Sequence, residues 1–442
     1  MSDYLTDTSS HPPPTTGQYA YNDWKPGAGG FPAVGSSYVD PVFGGTVRRL
    51  TDRGTAGPTG DDMYAHHWAN SNGTYFYDNN SNSGIFTVRY TIDGSQYKTS
   101  LPLANRTDFA WSPINPEIYY YFTGADLHEY HLANATNTVI KTFAATLQGL
   151  GGSLNWIDAT GDYFLASYVD GGSNKVHLWK KSTNTLYTGT VTPLSAGGWT
   201  AMTPDGNYIV TAAGGTAPPH IEHYSFLVDH VGHSISGSFV NFWGLCGDHG
   251  SLASCSNGKN YFVTFDCNYD PGIWRVDITL DQSSNNETVQ HSQNQKMVPL
   301  DFTMKPDGHI SAGIIGANKD WALFDHEPVN GTGEVFDGSL PSPWQAYRSE
   351  IIVMNLVTLE VRRYAHHRSR VPDNAGDDYW WEPRISCSWD GSVILFDSNF
   401  NIPGSPTGYN DMYLIPFSAA AAAESVAVRQ IIAGRRPNSM VY

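Results

Sequence analysis

The chain has 442 residues, of which 40% are hydrophobic and 13% aromatic, so it can build a large folded core. Its 42 acidic and 25 basic residues give a formal net charge of −17, and no basic stripe interleaved with aromatic residues is present, which argues against nucleic acid as a partner. No apolar run reaches the roughly 18 residues of a membrane-spanning helix, and no basic segment followed by an apolar one opens the chain. We expect no membrane insertion and no Sec signal peptide in the chain as given.

Both ends of the chain differ in composition from its middle. Residues 1–39 are rich in Pro, Gly, Ser, Thr and Tyr, which predicts an extended N-terminal arm. Residues 418–442 begin with an Ala-rich run and are predicted to form a C-terminal tail. Long polar termini are ordered only where something ties them down. We expect these tails to dock onto copies of the chain or onto other structural proteins.

One phrase recurs seven times between the tails: a short half-apolar run, a tight turn, and a second run rich in aromatic and β-branched residues. Asn-Gly and Asp-Gly pairs supply the positive φ angles that hairpin turns need, so each copy is typical of the two inner strands of a propeller blade. The predicted turns are centred on Gly73, Asn115, Gly161, Gly206, Gly258, Gly308 and Gly391.

The spacing of these turns predicts the architecture. Successive turns lie 42 to 52 residues apart except for the last pair, which are 83 apart, and the shorter interval is the period of four-stranded blades. We predict an all-β fold, a seven-bladed β-propeller of four-stranded blades over residues 40–417. An insertion at about 316–350 would account for the long last interval.

A ring of blades has to be closed, and two segments are candidates. TVRRLTDR at 46–53 closely resembles EVRRYAHH at 360–367, which is a predicted outer strand. Because no inner strands precede the early copy, it is predicted to complete the last blade beside a strand at about 412–417. The alternative is SVAVRQII at 425–432, which would supply that strand instead.

The cysteines indicate little redox or metal chemistry. They lack CxxC spacing, and three of them fall within one repeat, so we favour buried free thiols over one disulfide or a metal site. The four are Cys246, Cys255, Cys267 and Cys387.

Polar side chains gather where the inner strands begin, which predicts a polar mouth at one end of the ring. They stand seven or nine residues before the turns and comprise His66, His249, Arg106, Asp108, Asp301, Glu382 and Arg384. Propellers bind ligands at such a face, although polar groups there also form ion pairs and hydrogen bonds between blades, so a structural role stays open. Tyr379, Trp380 and Trp381 lie in an adjoining loop, where aromatic planes can stack on sugars.

A metal or a nucleophilic triad has less support. A divalent ion needs three or more converging His or carboxylate ligands, for which His66, His249 and His367 are the candidates. The chain contains no HxH, HExxH, CxxC or GxSxG phrase. We therefore expect no cofactor.

The phrases TPDGNYIV, KPDGHISA and SWDGSVILFDSNF resemble the blades of the bacterial TolB-like propeller superfamily, which includes propeller-fold polysaccharide lyases such as oligogalacturonate and ulvan lyases. The resemblance covers about residues 40–417 and implies roles by position for four residues. A His or Tyr among His66, His249 and Tyr379 would take the proton next to a uronic carboxylate, and Arg384 would neutralise that carboxylate.

Three functions are compatible with these features. The first is a non-catalytic surface or particle-building module, extracellular or on a virus particle, with docking tails and a glycan-binding face. The second is a polysaccharide lyase or related carbohydrate-active enzyme, and the third is an intracellular scaffold for protein partners. The fold alone does not choose among them. The two tails and the lack of a catalytic motif favour the first.

Overall fold

The computed structural model describes residues 5–13, 32–52, 67–80, 85–102, 109–150, 155–192, 199–212, 222–245, 249–266, 269–282, 287–300, 308–326, 344–369, 382–400 and 410–417. Over these residues the chain forms seven antiparallel sheets arranged as the blades of a ring, which confirms the predicted all-β seven-bladed propeller. The helices within these ranges include none long and apolar enough to cross a membrane.

The first three blades follow one another along the chain, after two N-terminal strands, β1 (Ser37–Val39) and β2 (Thr46–Arg49), that join the last blade. Blade one contains β3 (Tyr75–Asn80), β4 (Ile85–Tyr90) and β5 (Gln96–Thr99), with an inner bridge between Ala69 and Phe76. Blade two contains β6 (Phe109–Trp111), β7 (Ile118–Thr123), β8 (Asp126–His131) and β9 (Thr136–Thr142). Blade three contains β10 (Leu147–Gln148), β11 (Tyr163–Asp170), β12 (Ser173–Lys180) and β13 (Thr185–Leu186).

The other four blades have regular inner-to-outer order. Blade four contains β14 (Thr200–Met202), β15 (Tyr208–Ala212), β16 (His223–Asp229) and β17 (Ser234–Trp243). Blade five contains β18 (Ser251–Ser254), β19 (Asn260–Asp266), β20 (Gly272–Asp277) and β21 (Gln295–Pro299), with helix α1 (Glu287–Gln293) before β21. Blade six contains β22 (Gly308–Ser311), β23 (Trp321–His326), β24 (Glu350–Asn355) and β25 (Val361–His366), and blade seven contains β26 (Ser386–Cys387), β27 (Val393–Ser398) and β28 (Asp411–Pro416).

The N-terminal strand β2 closes the ring, as predicted. It pairs antiparallel with β28 in blade seven, where Arg49 lies opposite Tyr413, and β1 adds a fifth strand outside it. A buried ion pair reinforces the closure, because Arg49 Nη2 lies 2.8 Å from Asp411 Oδ2. The alternative closing segment at 425–432 lies outside the described residues.

The predicted turn at Gly308 is wrong. Gly308 is the first residue of the inner strand β22, and the turn to β23 comes later, with Gly316 at φ +70°. An Asp-Gly pair indicates a turn but does not specify which strands it connects. Residues 321–326, within the predicted insertion at 316–350, form the second strand of blade six, so the extra chain length of this blade lies between β23 and β24.

Side chains and backbone of the described residues meet near the axis of the ring. Blades that are not neighbours can touch only there, and among these residues two hydrogen bonds join such blades. His67 Nε2 in blade one lies 3.3 Å from the Gly313 carbonyl oxygen in blade six, and the Trp389 indole in blade seven donates to the Trp111 carbonyl of blade two at 3.0 Å. A Cβ built on Gly313 would lie 2.8 Å from Asn155 Nδ2 of blade three. We call His67, Gly313 and Trp389 the axial plug.

Two of the cysteines are described, and both are buried free thiols. They are Cys255 in blade five and Cys387 in blade seven. Burial raises the pKa of both thiols to about 12, so they stay protonated at neutral pH. Cys246 and Cys267 lie outside the described residues, and for these two the buried free thiol stays a prediction.

Candidate functional site at the mouth of the ring

The inner strands of blades five to seven bring a group of His, Arg and carboxylate side chains to one end of the ring. In each blade the first strand runs away from this end and the second returns to it, so the start of one lies beside the end of the other. His249 precedes β18 by two residues, His309 is the second residue of β22, and Arg384 precedes β26 by two residues. Asp325, near the end of β23, is the strand partner of His309.

Two imidazole rings form the centre of this group. His249 stacks on His309 with ring centroids 4.8 Å apart and an interplanar angle of 14°. His249 is partly exposed and His309 is buried. Burial lowers the pKa of His309 to about 4 although the neighbouring Asp325 carboxylate raises it, so this ring is neutral at neutral pH.

Two carboxylates flank the buried ring. His309 Nδ1 lies 3.8 Å from Asp325 Oδ1 and Nε2 lies 3.7 Å from Glu382 Oε2, which are ion-pair distances rather than hydrogen bonds. The Asp325 carboxylate accepts hydrogen bonds from the backbone N–H groups of His309 at 2.7 Å and Ile385 at 2.6 Å. Because Ile385 belongs to blade seven, Asp325 fastens two blades together at the mouth.

Arg384 is held below the mouth rather than displayed on it. Its side chain is buried, and Nη2 donates to Glu382 Oε2 at 3.2 Å. Its backbone φ is +45°, a left-handed conformation that a non-glycine residue keeps only where its surroundings enforce it. The guanidinium therefore acts on the mouth mainly through its charge and through Glu382.

A second pair of histidines lies behind the same end of blade six. His367 Nε2–H donates to the His326 carbonyl oxygen at 2.7 Å, and the Ser369 backbone N–H donates to His367 Nδ1 at 3.0 Å. Burial lowers the pKa of His367 to about 4. Both ring nitrogens of this candidate metal ligand are thus engaged by the backbone. Over the residues that the structure describes, no group of three or more His, Cys, Asp or Glu side chains is arranged to hold a metal ion.

The structure thus places three of the predicted mouth residues, His249, Glu382 and Arg384, in one cluster. The other predicted site residues lie outside the described part of the chain, namely His66, Arg106, Asp108, Asp301, Tyr379, Trp380 and Trp381.

The sequence reasoning missed His309 and Asp325. Because Gly308 was predicted to be a turn, His309 was assigned to the second strand of the blade and Asp325 to the predicted insertion. A signal for the correct register was present, because four second strands have an aromatic residue followed by Asp within their last four residues. These pairs are Tyr77-Asp78, Phe265-Asp266, Phe324-Asp325 and Phe396-Asp397, in blades one, five, six and seven.

The fold and the mouth define a seven-bladed β-propeller with a His-rich end. No protein-family model and no curated protein sequence matches the chain. Among solved structures, an oligogalacturonate lyase from Vibrio parahaemolyticus is similar with a TM-score of 0.54 and 12% identity, covering 87% of this chain and 97% of that one. An oligogalacturonate lyase in complex with manganese has a TM-score of 0.54 and 13% identity, covering 89% of this chain and 98% of that one. TolB from Acinetobacter baumannii has a TM-score of 0.35 and 16% identity, covering 63% of this chain and 59% of that one. At 12% and 13% identity, the similarity to the two lyases shows the fold alone.

Proposed function

We propose that the protein is a carbohydrate-active propeller that binds an acidic sugar chain at the mouth of blades five to seven, with His249 exchanging a proton with the sugar. The observation that carries this proposal is the stack of the partly exposed His249 on the buried, neutral His309. The likeness to two oligogalacturonate lyases supports it at the level of the fold.

The surroundings of His249 suit a group that accepts a proton during a reaction. A positive charge formed on this ring lies against the uncharged His309 ring instead of a second cation. The Asp325 and Glu382 carboxylates within 4 Å of His309 add negative charge behind the stack.

The chemistry that fits an acidic sugar is β-elimination. His249 would take the proton from the carbon next to the uronic carboxylate, and the electrons of that bond would form a double bond to the neighbouring carbon as its bond to the glycosidic oxygen breaks. The departing oxygen then takes up a proton. The positive charge of Arg384 would stabilise the negative charge that develops on the substrate. Glu382 accepts a hydrogen bond from the guanidinium and holds it in place. Direct contacts from His66, Arg106 and Tyr379 stay predictions.

A panel of uronic-acid polysaccharides tests this proposal. The wild type should release an unsaturated product that absorbs in the ultraviolet, and His249→Ala should abolish the product. His131→Ala is the matched control, because this partly exposed His lies in blade two and pairs with Glu129 at 3.0 Å. Binding without product would retain the acidic-sugar site but reject the proton transfer, and neither binding nor product across the panel would overturn the proposal.

The second candidate is a non-catalytic surface or particle-building module at a cell or virus surface. The observation in its favour is that residues 5–13 of the N-terminal arm bind a blade, through Arg363 of β25. Removal of residues 1–31 tests it. Residues 32–39 should be kept, because β1 is a strand of blade seven. The full chain should sediment as an assembly and the shortened chain as a monomer, whereas equal masses for the two would exclude an arm-driven assembly.

A further inference from the structure

The N-terminal arm adds a short strand segment to the outer edge of blade six. The Leu5 backbone N–H donates to the Arg363 carbonyl oxygen at 3.0 Å, and the Arg363 N–H donates to the Leu5 carbonyl oxygen at 2.7 Å. These two bonds make an antiparallel bridge on β25, the last strand of its sheet. This is the way in which an extended peptide joins an open sheet edge.

The side chain of Arg363 anchors the rest of the segment. Its Nη1 donates to the Ser9 carbonyl oxygen at 2.7 Å, the Asp7 carbonyl oxygen at 3.3 Å and Asp7 Oδ1 at 3.2 Å. Its Nε and Nη2 donate to the two Glu350 carboxylate oxygens, each at 2.6 Å. One buried guanidinium therefore joins the blade to the arm.

The anchor lies between two aromatic rings. The Arg363 guanidinium lies 5.1 Å from the centroid of the Phe43 ring and 5.0 Å from that of Tyr347. We call Phe43, Tyr347, Glu350 and Arg363 the arm groove. Residues 6–10 of the arm are exposed, and the arm groove holds the segment by its backbone, by the Asp7 carboxylate and by the His11 ring, which lies edge-on to the Phe43 ring with centroids 6.2 Å apart.

We propose that the arm groove receives residues 5–13 of a second copy of the chain, so that copies assemble by exchanging arms. This inference rests on the assembly function proposed above and does not involve the mouth. The contacts are the same whichever copy supplies the segment. The 18 residues from 14 to 31 separate the bound segment from the ring, and a chain of that length spans up to roughly 60 Å, enough to reach a neighbouring ring. The negative Asp7 and the positive Arg363 supply the charge complementarity.

A complementation experiment tests the exchange with two full-length variants. The groove variant, Glu350→Gln with Arg363→Met, replaces the buried ion pair by neutral side chains of similar size and keeps its own arm. The arm variant, Leu5→Pro with Asp7→Ala, removes one backbone donor and the anchored carboxylate but keeps its groove. Each variant alone should be monomeric by sedimentation and native mass spectrometry, and the mixture should form a 1:1 complex.

Controls separate this exchange from other routes of association. Thr8→Ala added to the groove variant changes an exposed arm residue and should leave the complex intact. Circular dichroism melting of each variant verifies that the ring is folded. A mixture that stays monomeric overturns the exchange. If the wild type still assembles in that case, it does so through another surface, and the assembly function survives without the arm groove.

Discussion

The imidazole of His249 in blade five stacks on the imidazole of His309 in blade six, with ring centroids 4.8 Å apart. The front ring is partly exposed at the mouth, and the back ring is buried between two carboxylates. The back ring thereby fixes the position of the front one and stays uncharged beside it. The mouth site consequently depends on blades five, six and seven keeping their mutual register.

Acid should destabilise the protein partly through its buried histidines. The pKa of His309 and that of His367 are about 4 in the folded chain, whereas an unfolded His titrates near about 6.5. Between these two pKa values the unfolded chain binds more protons than the folded chain. The free energy of unfolding therefore keeps its full value above pH 6.5 and decreases as the pH falls towards 4. Each ring accounts for a loss of about 3 kcal/mol across that window.

The substitution His309→Phe isolates this effect, since it keeps a buried ring but removes the titrating group. Chemical denaturation at a series of pH values should show a smaller loss of stability in the variant than in the wild type, by about 3 kcal/mol between pH 6.5 and 4. Parallel curves for the two proteins would show that His309 is not buried in a neutral state.

Removing the partner of Arg384 should be costly. Glu382→Gln removes a carboxylate that pairs with the buried Arg384 guanidinium, and we expect the free energy of unfolding to fall by about 3 kcal/mol. Glu360→Gln is the matched control, because Glu360 also pairs with an Arg two residues later, Arg362, but its side chain is 37% exposed. The control should lose less than about 1 kcal/mol. Equal losses in urea denaturation would mean that the Arg384 pair is solvated.

The axial plug should tolerate no side chain at Gly313. Its φ is +78°, and an added Cβ would lie 3.2 Å from the Leu252 carbonyl oxygen as well as close to Asn155. Gly124→Ala is the control, because Gly124 has φ +60° with no atom within 4 Å of an added Cβ. Both variants bear a backbone penalty of about 1 kcal/mol, and Gly313→Ala should lose about 2 kcal/mol more through overpacking. Similar urea midpoints for both would show that the axis is open.

The blades were predictable because their signals are local. Five of the predicted turn glycines have φ between +67° and +78°, as hairpin turns require: Gly73, Gly161, Gly206, Gly258 and Gly391. The closing strand was predictable for the same reason, since its sequence repeats that of β25. Gly308 shows the limit of this signal, because an Asp-Gly pair looks the same in the sequence whether it precedes the inner strand or follows it.

The mouth was predictable only in part. Equal offsets from the turns pointed to His249, Glu382 and Arg384, because blades with the same strand order place equivalent residues at the same end. His309 was missed through the single misplaced turn. The docking of Asp7 on Arg363, 356 residues apart in the chain, was beyond sequence patterns, because it depends on a groove that exists only after blade six has folded.

His249 is the residue through which we propose that the mouth binds an acidic sugar. Calorimetric titration of a uronic-acid oligosaccharide and of a neutral oligosaccharide of equal length, each into wild type and His249→Ala, tests this proposal directly. We predict that the wild type binds only the acidic sugar and that His249→Ala weakens this binding by about tenfold or more. Equal affinity of the wild type for both sugars, or an unchanged affinity in His249→Ala, would contradict the proposal.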